Sequence, residues 1–343
     1  MWKSTFINLA KVGVAGGLIA WLIHSGELDL SQLLRIVTQP SLAIAMIAYW
    51  SLGPCLMGSF RWLLFLRGAH YTVSWPDALR LQLIGFFFNS AMPGAVGGDL
   101  VKVVYVIRNN RDRGKTPAMM SVLLDRIVGL GGLFTVGLIM SLLSLDRILA
   151  STTLQSMLVL LVALNAAIAL FFLAALWHYR GDDPFARLLS RPVPGLALVG
   201  KLYEAVRIYR YQRHYILLCF GLSVLIQFAA LTLFYFIAVS LLADQTVYFT
   251  DIATIFPFGA LTAALPIAPG GLGVGHVAFD RLFAMIGLSD GANVFNLFVL
   301  SQLALNLLGA FPYIRMKGKE PARDFHLAHD HDPTYEAPGQ LKS

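Results

Sequence analysis

Five ionisable side chains stand inside strongly apolar sequence: Arg61 in WSLGPCLMGSFRWLLFL, Asp99 and Lys102 in NSAMPGAVGGDLVK, and Asp125 with Arg126 in SVLLDRIVGLGGLF. Charges in such surroundings are costly and are kept where they face a cavity or a partner. Three cations against two carboxylates leave one positive charge in excess, which suits an anion such as a phosphate group. Asp125 and Arg126 are adjacent, so on a helix they point about 100° apart and need different partners. Lys102, one turn beyond Asp99, either compensates that carboxylate or meets the anion itself. Asp99 has two readings. It caps a helix restarting near Gly98, with no further role, or it joins Arg126 in one network to which Arg61 or Lys102 adds positive charge. Arg61 in turn either belongs to that network or snorkels toward an interface.

The elements that must hold these groups follow from the solvent. Of 343 residues, 57% are hydrophobic and 13% charged, where a soluble domain carries about 25% charged residues. The mean hydropathy is +0.69. Apolar runs at 5–24, 41–66, 118–142, 154–176, 215–242 and 293–314 each approach or exceed the roughly 20 residues a helix needs to cross a bilayer. Two further stretches, 78–107 and 252–287, are broken near the middle by Pro and Gly. Arms of about 15 residues rise only about 22 Å, short of the roughly 30 Å hydrocarbon core. Each stretch is therefore expected to be a re-entrant hairpin, with two tilted full spans as the alternative. Either way the chain returns to the side it left.

The two breaks share a pattern. PGAVGGD runs from Pro93 through Gly94, Gly97 and Gly98 to Asp99; PGGLGVG runs from Pro269 through Gly270, Gly271 and Gly273 to Gly275, with His276 next. The order span, span, hairpin, span in 1–150 repeats in 151–316. Each half crosses an odd number of times, so the halves are inverted. Their Pro-Gly tips are then expected to meet near the midplane, as in secondary transporters with broken helices. Irregular backbone at that depth is tolerated only against protein or a polar cavity, and helix N-termini there favour anions. The candidate cavity thus comprises the Pro-Gly positions, Asn89, His276 and the five ionisable residues. Gln227, Gln302 and Asn306 either line it or join helices by hydrogen bonds. Asp280 and Arg281 fall near the outer end of the second hairpin, where water reaches them.

The fold class expected is an all-α polytopic membrane protein, with about six full spans and two re-entrant hairpins, or eight spans, in one domain over 1–316. With the N-terminus in the cytoplasm, 19 of the 26 basic residues fall in cytoplasmic segments and only Arg35 and Arg147 outside. The positive-inside rule then makes both termini cytoplasmic, in a cell (inner) membrane. The net charge of +7 is topological on this reading. Anionic inner-leaflet lipid is its counterpart, and no nucleic-acid partner is needed.

The remaining segments carry less. The first span includes Lys11 and precedes no small-residue cleavage pattern, so it is expected to be retained. Cys55 and Cys219 lie in spans and suggest neither a disulfide framework nor a metal site. In 195–214, Leu198, Leu202, Val206 and Tyr209 recur at helical spacing while Lys201, Arg207, Arg210 and Arg213 lie largely elsewhere. This reads as a basic helix on the inner membrane face, or else a linker between halves. The polar tail, 317–343, is expected to be disordered. His326, His329 and His331 within it offer at most a weak metal site, and no cofactor is expected.

The run FFFNSAMPGAVGGDLVKVVYVIRNNRDRGKTPAMMSVLLDRIVGLGGL, with its PG-x-x-GGDL core and later LLDR-x-x-GL, resembles the flippase-like transmembrane domain of lysylphosphatidylglycerol synthases and its stand-alone relatives. LPIAPGGLGVGHVAFDRLF resembles that family's second hairpin, and the likeness extends over about 1–316. Where relatives commonly carry an Arg-Glu pair after PGGLGV, this chain has Gly275 and His276. The resemblance implies movement of a phospholipid, or of a polyprenyl or other lipid-linked precursor, between leaflets. In the synthases a soluble aminoacyl-transferase domain accompanies this region. Here the chain ends about 30 residues after its last span, so lysyl transfer is not expected.

Two further classes stand beside a lipid translocator. One is a membrane scaffold or accessory protein of a lipid or glycan pathway, docked through 195–214. The other is a membrane-embedded transferase using Asp99 or Asp125 as base, against which stands the lack of a catalytic loop, metal-ligand cluster or nucleotide-binding motif. A proton route through Asp99, Asp125 or His276 and uncoupled flipping are equally compatible with these residues.

Overall fold

A computed structural model describes residues 38–91, 97–110, 115–179, 182–189, 196–263 and 274–315. Among these the secondary structure is helical throughout, because apolar chain in hydrocarbon must satisfy its backbone within each segment. The first half contains α1 (Pro40–Gly68), α2 (Trp75–Ala91), α3 (Gly97–Asn109), α4 (Lys115–Leu143) and a short α5 (Leu145–Leu149). The second contains α6 (Thr152–Leu176), α7 (Pro184–Leu189), α8 (Leu196–Arg207), α9 (Arg213–Leu241), α10 (Phe249–Ala263), α11 (Val274–Met285), α12 (Gly291–Leu308) and α13 (Ala310–Arg315). Helices α1, α4, α6, α9 and α12 with α13 are long and apolar enough to cross a membrane. They coincide with five of the expected spans. The sixth, 5–24, lies outside the described residues, as does the tail 317–343.

The two broken stretches are helix pairs. α2 and α3 have 17 and 13 residues, α10 and α11 have 15 and 12, so their rises run from about 18 to 26 Å, each below the roughly 30 Å core. At the base of the first pair the Thr72 hydroxyl donates to Asn110 Oδ1 at 3.3 Å. At the base of the second, Gln245 Nε2 donates to Ser289 Oγ at 2.8 Å, and Gln245 Oε1 accepts the Ser289 N–H at 2.9 Å. Each stretch therefore starts and finishes at one end of the bundle. The two bases lie at opposite ends of α4. Its first turn follows shortly after Asn110, and its far end is tied through Arg147 of α5 to Asp251 of α10. Packing between halves is reciprocal: α2 lies against α12, and α10 against α4.

Backbone contact joins the first pair. A Cβ on Gly98 would fall 1.8 Å from the Gly85 carbonyl oxygen, so α3 begins directly against α2. Gly98→Ala is expected to cost about 1–3 kcal/mol by forcing the helices apart, read as a lower melting temperature in detergent. Gly221→Ala is the control, because a Cβ there meets nothing within 4 Å; it should leave stability unchanged or slightly raised.

Pro54 shapes α1. It lacks the N–H that would close a helical turn, and Ser51–Met57 around it widens into a π-helical segment. Such widening is frequent where a helix serves a site. Here the Pro54 carbonyl accepts from Gln82 Nε2 of α2 at 3.4 Å.

Helix α8 is amphipathic, as the spacing implies, but its apolar side meets protein. Leu202 and Val206 on α8, with Tyr209 just beyond it, pack with Leu64, Phe65, Met120 and Leu124 from α1 and α4. The face assigned from sequence to the membrane surface is thus largely occupied, and Leu198 alone of its four apolar positions is exposed. Periodicity reports that a face is apolar, and the covering surface is a tertiary matter.

Candidate functional site

The charged residues resolve into two clusters, both built on α4. In the first, Asp99 of α3 receives two cations. Lys102 Nζ lies 2.9 Å from Asp99 Oδ1, and Arg126 Nη2 of α4 lies 2.5 Å from Oδ2. Lys102 also donates to Gln82 Oε1 at 3.1 Å and sits 4.9 Å from the centre of the Trp62 ring. Gln82 in turn reaches the Pro54 carbonyl, so the π segment of α1 braces the lysine through one amide. The side chains of Lys102 and Asp99 are 6% and 10% exposed, whereas that of Arg126 is 42% exposed. Arg126 is the most exposed member of the cluster.

In the second cluster Arg61 of α1 grips Asp125 of α4 through two parallel hydrogen bonds, Nε to Oδ1 at 2.7 Å and Nη2 to Oδ2 at 3.1 Å. Bidentate pairs of this kind are among the stronger protein ion pairs. Arg61 Nη1 also donates to Ser223 Oγ of α9 at 2.7 Å, and Ser223 donates to the Cys219 carbonyl at 2.8 Å. Ser223 reaches this position because α4 and α9 touch at Gly132, where a Cβ would fall 2.7 Å from the Ser223 carbonyl carbon.

The adjacent pair Asp125 and Arg126 serves different clusters, as their angular separation demands. Charge is then unequally distributed: Arg61 and Asp125 cancel, while Asp99 faces two cations. Among these five side chains, the two cations that meet one carboxylate are Lys102 and Arg126. Arg61 is neither a snorkelling side chain nor a direct partner of Asp99. The capping role also falls elsewhere, since Asn89 Oδ1 accepts the Gly98 N–H at 2.8 Å while the Asp99 carboxylate engages Lys102 and Arg126.

The other candidate positions divide. Gly97 and Gly98 open α3 beside Asp99. His276 of α11 lies 3.4 Å from Asn296 Oδ1 and meets the Phe295 ring edge-on, both on α12. Gln227 donates to the Gly129 carbonyl at 3.4 Å, a helix-joining contact, and Asp280 and Arg281 are exposed. Pro93, Gly94, Pro269, Gly270, Gly271 and Gly273 lie outside the described residues. Gln82, Trp62 and Ser223 were not singled out by sequence; their one signal is a polar or aromatic group in an apolar run. Among the described residues no group of His, Cys, Asp and Glu is arranged to hold a metal.

Residues 8–302 match the family described as the lysylphosphatidylglycerol synthase TM region. The chain belongs to that family. What is matched is a transmembrane region, and it includes every helix that carries the two clusters. The chain is also 25% identical over 264 residues to the UPF0104 membrane protein PH1989 of Pyrococcus horikoshii, covering 70% of this chain and 76% of that protein. No solved structure matches it. The chain is thus a multi-pass membrane protein, and two clusters of buried charge lie on α1, α3 and α4.

Proposed function

We propose that this protein moves a lipid with a phosphate-bearing, anionic headgroup between leaflets, using Asp99, Lys102 and Arg126 to receive the headgroup. The observation that carries this reading is a deeply buried carboxylate and lysine joined to a half-exposed arginine. Membership of a family named for a lipid synthase's membrane region supports a lipid as the ligand. Short helix pairs with bases at opposite ends of α4 support two re-entrant hairpins approaching from opposite sides, as in transporters built from inverted repeats. Aminoacyl transfer plays no part in this reading.

The test is transfer by the purified protein in vesicles. Phosphatidylglycerol fluorescently labelled on its acyl chain and quenched from outside should lose signal beyond the outer-leaflet fraction when the protein is present. Quenching that stops at the level of protein-free vesicles contradicts the proposal.

The same reading places the Asn110 end of α4 in the cytoplasm of a cell whose inner membrane holds the protein. Asn110→Cys should react with an impermeant maleimide only after permeabilisation, and Ser151→Cys on intact cells. Both native cysteines are buried, which keeps the background low. Labelling of Asn110→Cys from outside reverses the orientation.

A further inference from the structure

Helix α3 presents two different sides. Asp99, Lys102, Val103 and Val106 are buried against the bundle. Leu100, Val101, Val104 and Arg108 instead line an open groove of about 340 Å³, flanked by Phe88 of α2 and Tyr313 of α13. The groove walls are apolar along α3, and Leu100 and Val104 are exposed. Its one charged group is Arg108, in the last turn of α3. No carboxylate among the described residues forms an ion pair with Arg108, in contrast to Arg61, Lys102 and Arg126.

We infer that this groove seats one acyl chain of an anionic glycerophospholipid, with the lipid phosphate at Arg108. The length fits. Gly97, which also lines the groove, and Arg108 are separated by a helical rise of about 16 Å, close to half of the roughly 30 Å hydrocarbon core and so to the depth of one leaflet. The polarity fits as well, with a cation at one end and, from there to Gly97, a mainly apolar lining in which Tyr105 and Tyr313 are the polar members. Residues 5–24 are another apolar segment of this chain long enough to compete for such a groove. They contain Lys11 and no acidic residue, so they bring no anion to Arg108. The groove ends at Gly97, two residues from Asp99, so a lipid seated here lies beside the headgroup site proposed above. The inference extends that proposal, yet the groove's binding is read without any transport.

The experiment uses the full chain in nanodiscs with phosphatidylglycerol carrying a diazirine on its acyl chain, followed by peptide mapping after illumination. Adducts are expected on Leu100, Val101 and Val104, displaced by unlabelled phosphatidylglycerol more effectively than by phosphatidylcholine. Arg108→Gln should reduce labelling about tenfold, the loss expected for a charge-assisted contact, and abolish the preference between the two lipids. Val104→Trp should fill the groove and remove the adducts, with melting temperature checking the fold of both variants. Labelling spread evenly over the exposed face of α6, or unchanged in both variants, overturns the inference. So does a disulfide between Val104→Cys and Val14→Cys, which would place the 5–24 segment in the groove. Groove adducts without lipid transfer in vesicles would remove the transport proposal alone; transfer without groove adducts would remove this one alone.

Discussion

Asp125→Asn is expected to lower the melting temperature in detergent sharply and to cut the yield of folded protein. Arg61 and Asp125 are 12% and 13% exposed in their side chains and bonded at 2.7 Å. Neutralising the carboxylate strands a buried guanidinium, a change that costs about 3–5 kcal/mol where such pairs have been broken. Ser223 remains as a neutral acceptor and does not replace the charge. Removing both partners has a different effect, because neither ion then needs desolvating. The double variant Arg61→Met with Asp125→Leu should therefore recover most of the lost stability. A double variant no more stable than Asp125→Asn would show that these side chains do something beyond balancing each other.

Arg126→Gln is expected to behave in the opposite way: near-normal stability with lipid transfer reduced at least tenfold, the equivalent of one charge-assisted contact. Lys102 keeps Asp99 neutralised at 2.9 Å, so no buried charge is stranded. Arg126 is 42% exposed, and pairs with that exposure contribute about 0–1 kcal/mol. Asp99→Asn separates the two effects less well. It strips the counter-charge from Lys102, which is 6% exposed, so instability is expected before any transport defect can be read. Melting temperature and transfer rate measured on the same preparations distinguish these outcomes.

The parts of the fold imposed by the bilayer were the parts most legible in the sequence. Apolar runs must reach a set length, and five of them became helices at nearly the expected boundaries. The two Pro-Gly breaks were legible because nothing else interrupts an apolar run so abruptly. Partner choice was less so. The angle between Asp125 and Arg126 required two partners, yet sequence spacing carries no information on which helix faces which, and Arg61 proved to serve Asp125. Gln82 and Ser223 were missed because a single polar residue in a span looks the same whether it braces a charged site or only links helices. Gly98 stood out in sequence as part of a Pro-Gly break, whereas its smallness matters through the Gly85 carbonyl it touches. That contact, like the covering of α8, exists only once the chain has packed.

In the proposed function the Asp99, Lys102 and Arg126 cluster receives an anionic headgroup during transfer. This role is tested most directly by comparing wild type with Arg126→Gln in vesicles, using phosphatidylglycerol and phosphatidylcholine probes side by side at equal protein density. Wild type is expected to transfer phosphatidylglycerol faster than phosphatidylcholine, and a normally folded Arg126→Gln protein is expected to lose that difference. Equal rates for both lipids in wild type, or an unchanged preference in the variant, would contradict that role.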